Sequence, residues 1–134
     1  QGVEFFGGYT LTRVVIEDSE NPAEEGKTYP VTPKYAATVG TSVSALGAIF
    51  TVSGRYIGER YLIRDFENTG DKIADVFVYD TKISYTYKSA TAFVSVYNLT
   101  NREYEDSGGF SSFGPIKFNA APERSWLIGG ELTF

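Results

Sequence analysis

The sequence predicts an all-β chain whose antiparallel strands form part of an up-and-down transmembrane β-barrel. Three observations support this prediction: polar and apolar residues alternate along several segments, the connections alternate between long and short, and aromatic residues gather near the segment ends. Composition agrees, because ten Tyr and ten Phe occur among 134 residues. Aromatic and β-branched residues favour a pleated, half-buried surface.

Six segments have the alternation or the composition of strands. They span residues 2–16, 34–44, 48–61, 75–87, 90–104 and 123–134. In the fourth segment Tyr79 and Ile83 share one face and Lys82 falls on the other. The fifth is ambiguous, because Val94 and Phe93 compete for the apolar face. A tilted strand needs about 9–11 residues to cross the hydrocarbon of a membrane, so every segment is long enough.

The connections between these segments are sorted by length. Residues 17–33, 62–74 and 105–122 form long loops, whereas residues 45–47 and 88–89 form tight turns. Alternate connections of an antiparallel up-and-down sheet lie at the same end, so all long loops should emerge at one end. Short turns at one end and long loops at the other are typical of outer-membrane barrels.

Aromatic residues are expected at two levels of the sheet. Tyr56, Phe77 and Trp126 lie toward the long-loop end of their segments, and Phe50 and Tyr87 lie toward the turn end. Two aromatic girdles that flank an apolar band match the two interfaces of a bilayer. Period-two alternation also occurs in soluble β-sandwiches, which remain an alternative.

Six strands would leave two open edges. In lipid, each unpaired backbone N–H or C=O group costs several kcal/mol, and the smallest single-chain barrels have about eight strands. We therefore expect further strands, from a longer sequence or from partner chains. The chain has no initiating Met and no signal-peptide pattern, and its first residues read as the interior of a strand.

Composition excludes several kinds of chemistry. There is no Cys and no His, so disulfides, thiolate nucleophiles, Ser-His-Asp triads and His-ligated zinc are absent from this segment. The net charge of −5 and the lack of a basic stripe argue against binding to nucleic acid. No apolar run is long enough for a transmembrane helix. We predict no cofactor, no metal site and no enzymatic activity.

Six sequence stretches follow one another in a characteristic order. The upstream stretches are YTLTRVVIED, SGRYIGERY and VYDTKISYTY, and the final ones are VSVYNLTNREY, SGGFSSFGP and APERSWLIGGELTF. In this order they resemble the C-terminal barrel of TonB-dependent outer-membrane receptors, and the resemblance covers nearly the whole chain. It implies that the six strands are the last six of a 22-stranded barrel, and that the plug domain and earlier strands are absent from residues 1–134.

The resemblance also implies a function. Receptors of this family lie in the outer membrane of Gram-negative bacteria and import a scarce nutrient, most often a ferric siderophore, with energy supplied through TonB. The implied partners are outer-membrane lipid, the receptor's own plug domain, TonB, the barrel assembly machinery and an iron chelate. The plug and the TonB-contacting segment precede the barrel in the family, so this segment alone should not transport.

Two groups of residues are candidate sites. Extracellular loops would bind the ligand, because aromatic rings can stack on a chelate and Arg can pair with its anionic groups; ordinary loop packing is the alternative explanation. These candidates are Tyr61, Arg64, Phe66, Phe110 and Phe113. Residues 126–134 resemble the signal read by the barrel assembly machinery, and the residues that carry the resemblance are Gly129, Leu132 and Phe134. Trp126 departs from that pattern, in which a polar residue is usual.

Other charged residues are expected to have structural roles. The acidic loop at residues 17–33 lacks the fixed spacing of a calcium loop, so we interpret it as solvated. Arg55, Lys82 and Glu131 are predicted to line the lumen or to contact the plug. Competing interpretations of the whole chain are a passive porin or an autotransporter translocator, an outer-membrane hydrolase, and a soluble β-sandwich binding module.

Overall fold

The computed structural model describes residues 1–109 and 117–133. Its centre is a six-stranded antiparallel sheet in which neighbours in the sheet follow one another along the chain. The sheet strands are β1 (Gly2–Leu11), β2 (Tyr35–Ala45), β3 (Ala48–Ile57), β6 (Val76–Tyr87), β7 (Ala90–Tyr97) and β10 (Ser125–Leu132). Four short strands form two hairpins inside the loops: β4 (Arg60–Tyr61) with β5 (Lys72–Ile73), and β8 (Glu105–Gly109) with β9 (Lys117–Ala120). The predicted all-β antiparallel sheet is confirmed.

The six strands give the sheet an apolar face and a polar face, because successive side chains of a strand point to opposite sides. The apolar face carries Phe5, Tyr9, Tyr35, Val43, Phe50, Tyr56, Phe77, Ile83, Tyr85, Val94, Trp126, Ile128 and Leu132. The polar face carries Glu4, Thr38, Ser42, Thr51, Arg55, Asp80, Lys82, Ser84, Thr91, Ser95 and Glu131. Large apolar side chains are exposed along the first face in this chain, with Phe5 81% and Ile128 75% accessible.

The pairing register resolves the ambiguous fifth segment. Val94 pairs with Ile83 on the apolar face, whereas Phe93 pairs with Ser84 on the polar face. Phe93 covers Gly129 of the next strand, where a Cβ atom would lie 2.5 Å from the ring. The ring therefore occupies the space that a side chain at position 129 would fill.

Both tight turns lie at one end of the sheet and all long connections at the other. Leu46 and Gly47 join β2 to β3 with φ angles of 51° and 82°, the left-handed backbone typical of two-residue hairpins. A Cβ atom at Gly47 would approach the carbonyl oxygen of Thr86 to 2.7 Å, so this position favours glycine. Lys88, with φ 53°, begins the second turn. The predicted sorting of connections is confirmed.

Three predicted strands are too long. The first ends at Leu11 rather than at residue 16, and pairing resumes only at an isolated bridge between Val15 and Thr28. The third ends at Ile57, where the Gly58 N–H donates to the Tyr35 carbonyl. A Cβ atom at Gly58 would lie 2.8 Å from that oxygen.

The fifth predicted strand ends at Tyr97 rather than at residue 104. Asn98 turns the chain with a left-handed φ of 52°, and its side-chain oxygen accepts from the Arg102 N–H at 2.8 Å. Asn tolerates this conformation because its short side chain can bond the local backbone. Period-two composition continues past each of these turns, which explains why the sequence overestimated the strand lengths.

The buried apolar residues lie at the long-loop end. Leu62, Ile73, Val76 and Val78 are each 3% accessible or less. Val76 and Val78 lie on the polar face at the start of β6. The buried apolar residues thus come from the second loop, from the polar face of β6 and, with Val96, from the loop end of β7. Within the described residues the only helix is a single 3₁₀ turn at Pro22–Glu24, so none is long and apolar enough to cross a membrane.

Candidate ligand-binding loops

The three long connections fold together into one unit, which we call the loop cap (residues 12–34, 58–75, 98–109 and 117–124). The Val31 N–H donates to the Tyr61 carbonyl at 3.0 Å and joins the first loop to the second. The Ile63 N–H donates to the Gly108 carbonyl at 2.8 Å and joins the second loop to the third. These bonds link loops that are far apart in sequence, so the cap is a folded structure.

Asn68 joins the first two loops through its side chain. Its Oδ1 accepts from the Thr28 N–H at 2.8 Å, and its Nδ2 donates to the Thr28 carbonyl at 2.9 Å. The same Nδ2 also contacts the Asp65 carbonyl at 3.1 Å. The amide group of Asn68 thus satisfies both backbone groups of Thr28, as a neighbouring strand would do.

Asp65 holds the turn of the second loop from inside. The residue is 1% accessible, and its carboxylate oxygens accept from the N–H groups of Thr69 and Gly70 at 2.9 and 3.1 Å. Hydrogen bonds from backbone donors to an ionised acceptor are roughly twice as strong as neutral ones. A signal for this turn was present in the sequence, because Asp, Asn and Gly are typical turn residues.

Arg60 ties the second loop to the third. It is 5% accessible, and its Nη2 donates to the carbonyl oxygens of Glu105 and Asp106 at 3.3 and 2.6 Å. Among the described residues, its Nη1 has no hydrogen-bond partner. Sequence reasoning missed this residue, because nothing local distinguishes Arg60 from a solvated arginine.

Two predicted ligand residues take part in packing within the cap. Tyr61 is half-buried, and the Nζ atom of Lys72 lies 4.9 Å from its ring centroid. Phe66 packs edge-on against Tyr29 of the first loop, with ring centroids 5.9 Å apart. Arg64 is exposed, with a left-handed φ of 72°. Phe110 and Phe113 lie outside the described residues.

An ion pair stands beside Tyr61. Lys72 Nζ contacts a carboxylate oxygen of Glu59. The hydrogen bond to Glu59 raises the pKa of Lys72 above its usual value, and the neighbouring Tyr61 adds to the effect. Partial burial of Lys72 opposes this pKa shift without reversing it. Both side chains are substantially exposed, so solvent screens the pair.

The third loop contains a cleft of about 530 Å³ that the sequence did not reveal. Its lining residues include Arg102, Tyr104 and Phe118, together with Glu103, Glu105 and Glu123. The two aromatic rings suit an aromatic ligand, whereas the three glutamates outnumber the one arginine and disfavour an anionic group. The β8–β9 hairpin that forms part of this cleft pairs Gly108 with Phe118 and was not predicted.

The candidate assembly residues lie on opposite faces of β10. Leu132 is 65% accessible on the apolar face and pairs with Ala90, whereas Gly129 lies on the polar face beneath Phe93. Phe134 lies outside the described residues. In the part of the chain that the structure describes, β10 pairs with β7 alone.

The other charged residues are placed as follows. Arg55, Lys82 and Glu131 all lie on the polar face, and Arg55 approaches Asp80 to 4.0 Å. In the acidic first loop, Glu24 accepts a hydrogen bond from Ser19 Oγ at 2.8 Å. No group of three His, Cys, Asp or Glu residues that could hold a metal ion occurs in residues 1–109 and 117–133.

Comparison with known families identifies the fold. Residues 1–99 match the family model described as "TonB dependent receptor-like, beta-barrel". The chain belongs to this family. Members of the TonB-dependent receptor family are transport receptors rather than enzymes. No curated protein matches the chain.

Several solved structures of import receptors and transporters share the fold. The ferric-catecholate import receptor Fiu from E. coli matches with a TM-score of 0.76 and 24% identity, over 98% of this chain and 19% of that receptor. The ferric yersiniabactin uptake receptor FyuA from Yersinia pestis matches with a TM-score of 0.79 and 18% identity, over 99% of this chain and 21% of that receptor. The ferric citrate transporter FecA matches with a TM-score of 0.78 and 15% identity, over 98% of this chain and 21% of that transporter. The chain thus spans about a fifth of the length of the receptors it resembles.

Proposed function

We propose that the chain is the C-terminal barrel segment of an outer-membrane receptor that imports a ferric siderophore with energy from TonB. The observation that carries this proposal is the family match over residues 1–99, on a sheet with one apolar and one polar face. The match favours the receptor over a porin, an autotransporter, an outer-membrane hydrolase or a soluble sandwich. The six sheet strands would be the last six of a 22-stranded barrel, after a plug domain and earlier strands.

In this proposal the apolar face contacts lipid and the polar face lines the lumen. Tyr9, Ala37, Tyr56 and Phe77 are paired across four neighbouring strands and form one row near the loop end. Such a row supports a membrane interface at this level, because amphipathic rings prefer the headgroup region. The cap would then stand outside the cell, above the lumen, and Arg55, Lys82 and Glu131 would face water or the plug.

A ferric siderophore is the ligand class that the loop chemistry supports best. The solved receptors described above are named for ferric-catecholate, ferric yersiniabactin and ferric citrate. In this chain, exposed Arg64 offers a cation, and the third-loop cleft offers the rings of Tyr104 and Phe118. Tyr61, Phe66, Phe110 and Phe113 stay in the proposed ligand-contacting set. Guanidinium groups pair with the anionic groups of a chelate, and aromatic rings stack on it.

The remaining partners follow from the architecture. The receptor's own plug domain would fill the lumen, and TonB would act on the segment that precedes the plug. The barrel assembly machinery would bind β10 through Gly129, Leu132 and Phe134, because a terminal strand can pair with an exposed sheet edge. Closure of the barrel would pair β10 with a strand outside this sequence.

Iron uptake by the full-length receptor tests the proposal. Radiolabelled iron should be supplied to iron-starved cells as a catecholate, a hydroxamate or a citrate complex. Deletion of the receptor should abolish uptake of one of these complexes, and deletion of TonB should abolish the same uptake. Uptake that depends on the receptor but not on TonB would indicate a passive channel. Uptake of all three complexes that is unchanged by either deletion would refute the proposal.

A further inference from the structure

A small group of cations stands directly beyond the aromatic row of the apolar face. Tyr9 and Tyr35 stack with ring centroids 6.3 Å apart, and Lys34 Nζ lies 5.1 Å from the Tyr35 ring centroid. Arg13 follows β1 by two residues, and the Thr12 N–H donates to the Lys34 carbonyl at 2.9 Å. Both cations therefore lie at the loop end of the β1–β2 pair, where the Nζ atom of Lys34 reaches the ring of Tyr35 on the apolar face.

Two adjoining cavities open beside these cations. One, of about 360 Å³, is lined by Leu11, Arg13 and Lys34 among others. The second, of about 180 Å³, also reaches Lys34 and extends to Tyr35 and Tyr56 of the apolar face. Their walls therefore combine cations with rings that point to the same side as the row of Tyr9 and Phe77.

The two cations have no ion-pair partner within the described residues. The salt bridges there are those of Arg55 with Asp80 and of Lys72 with Glu59. Arg13 and Lys34 are exposed, in a chain whose net charge is −5. Glu59, which lines the second cavity, forms its salt bridge with Lys72 rather than with Lys34.

We propose that Arg13 and Lys34 bind the phosphate-bearing headgroup of a lipid in the leaflet that faces the loop cap. This inference rests on the proposed membrane orientation, in which the aromatic row marks the headgroup level. Arg can pair with a phosphate through two parallel N–H donors, and Lys supplies a compact charge. The lipid's acyl chains would lie along the exposed apolar face below, beside Leu11 and Tyr9.

The test measures lipid binding by the full-length receptor in detergent. The probes are bis-phosphorylated lipid A, phosphatidylcholine and inorganic phosphate. The variant R13Q/K34Q removes both cations. The control K27Q/K82Q removes the same charge from a loop position and a polar-face position outside the proposed site. A cation near an anionic membrane surface contributes about fivefold in affinity, so R13Q/K34Q should bind lipid A about 25-fold more weakly.

The outcomes separate the possible explanations. Retained lipid A binding by R13Q/K34Q, or an equal loss in K27Q/K82Q, would overturn the inference. Displacement of lipid A by millimolar inorganic phosphate would assign the site to free phosphate and would also overturn it. Iron uptake should be unchanged in R13Q/K34Q. Failure of TonB-dependent uptake in the wild type would refute the proposed function, whereas equal lipid binding by both variants would refute this inference alone.

Discussion

The side-chain amide of Asn68 forms both of the backbone hydrogen bonds of Thr28, a residue 40 positions earlier in the chain. Asn68 adopts a left-handed φ of 56° to do so. One side chain therefore connects the first and second loops at the centre of the cap. The side-chain amide of Asn68 therefore takes the place that the peptide group of a neighbouring strand would occupy beside Thr28.

Replacement of Asn68 should open this connection. In N68G the left-handed backbone is retained and the amide is lost, so the expected cost is about 1–3 kcal/mol of local stability for leaving Thr28 unpaired. Hydrogen exchange at the Thr28 amide should accelerate about tenfold or more, while exchange in β2 and β3 stays slow. N21G, which removes an exposed amide bonded to Glu67, is the matched control. Unchanged exchange at Thr28 in N68G would contradict the assigned role.

Position 129 should accommodate a methyl group only if the ring of Phe93 moves. In G129A the added Cβ would lie 2.5 Å from the Phe93 ring, so the ring must move. We expect a destabilisation of about 1–3 kcal/mol, measured as a lower temperature for loss of heat-modifiable migration on gels. The double variant G129A/F93A should be no less stable than F93A alone. G8A, on the same face with no atom within 4 Å of the added Cβ, should behave as the wild type.

The Lys72–Glu59 pair predicts a pH dependence in the alkaline range. Because the pKa of Lys72 is raised in the folded state, the stability that the pair contributes is complete below the ordinary lysine pKa of 10.5 and is lost as pH rises through the folded pKa. NMR titration of the Lys72 side chain should give a pKa above 10.5, and E59Q should return it toward 10.5. E67Q removes another loop carboxylate and should leave the Lys72 titration unchanged. An identical titration in E59Q and wild type would show that Glu59 is not the cause.

Arg64 and the third-loop cleft make separable predictions for ligand binding. A hydrogen bond to a charged group contributes about 1.5–3 kcal/mol, so R64Q should weaken binding of the imported ferric siderophore by about tenfold or more. The variant Y104A/F118A should weaken binding if rings of the cleft stack on the ligand. Both effects are measured as a rise in Kd with receptor abundance unchanged. K27Q is the control for loss of charge in the cap, and equal Kd values for R64Q and K27Q would remove Arg64 from the site.

The sequence by itself determined the strands, their antiparallel order and the end at which each connection lies. These properties are local, because a period of two and a run of turn residues can be recognised within a dozen positions. The exposed placement of Arg64 and the shared face of Arg55, Lys82 and Glu131 also follow from such patterns. The strand ends were not determined by the sequence pattern, because alternation continues past the turns at Gly58 and Asn98.

Only the tertiary structure decided the face of Val94, the burial of Arg60 and the bond between Asn68 and Thr28. The face of Val94 depends on its register with Ile83. The sequence could not assign this face, because Val94 and the adjacent Phe93 are both apolar. Arg60 is buried because the carbonyl groups of Glu105 and Asp106, some 45 residues later, are brought to it. Contacts at such separations depend on how the loops close over the sheet, and local composition carries no information about that arrangement.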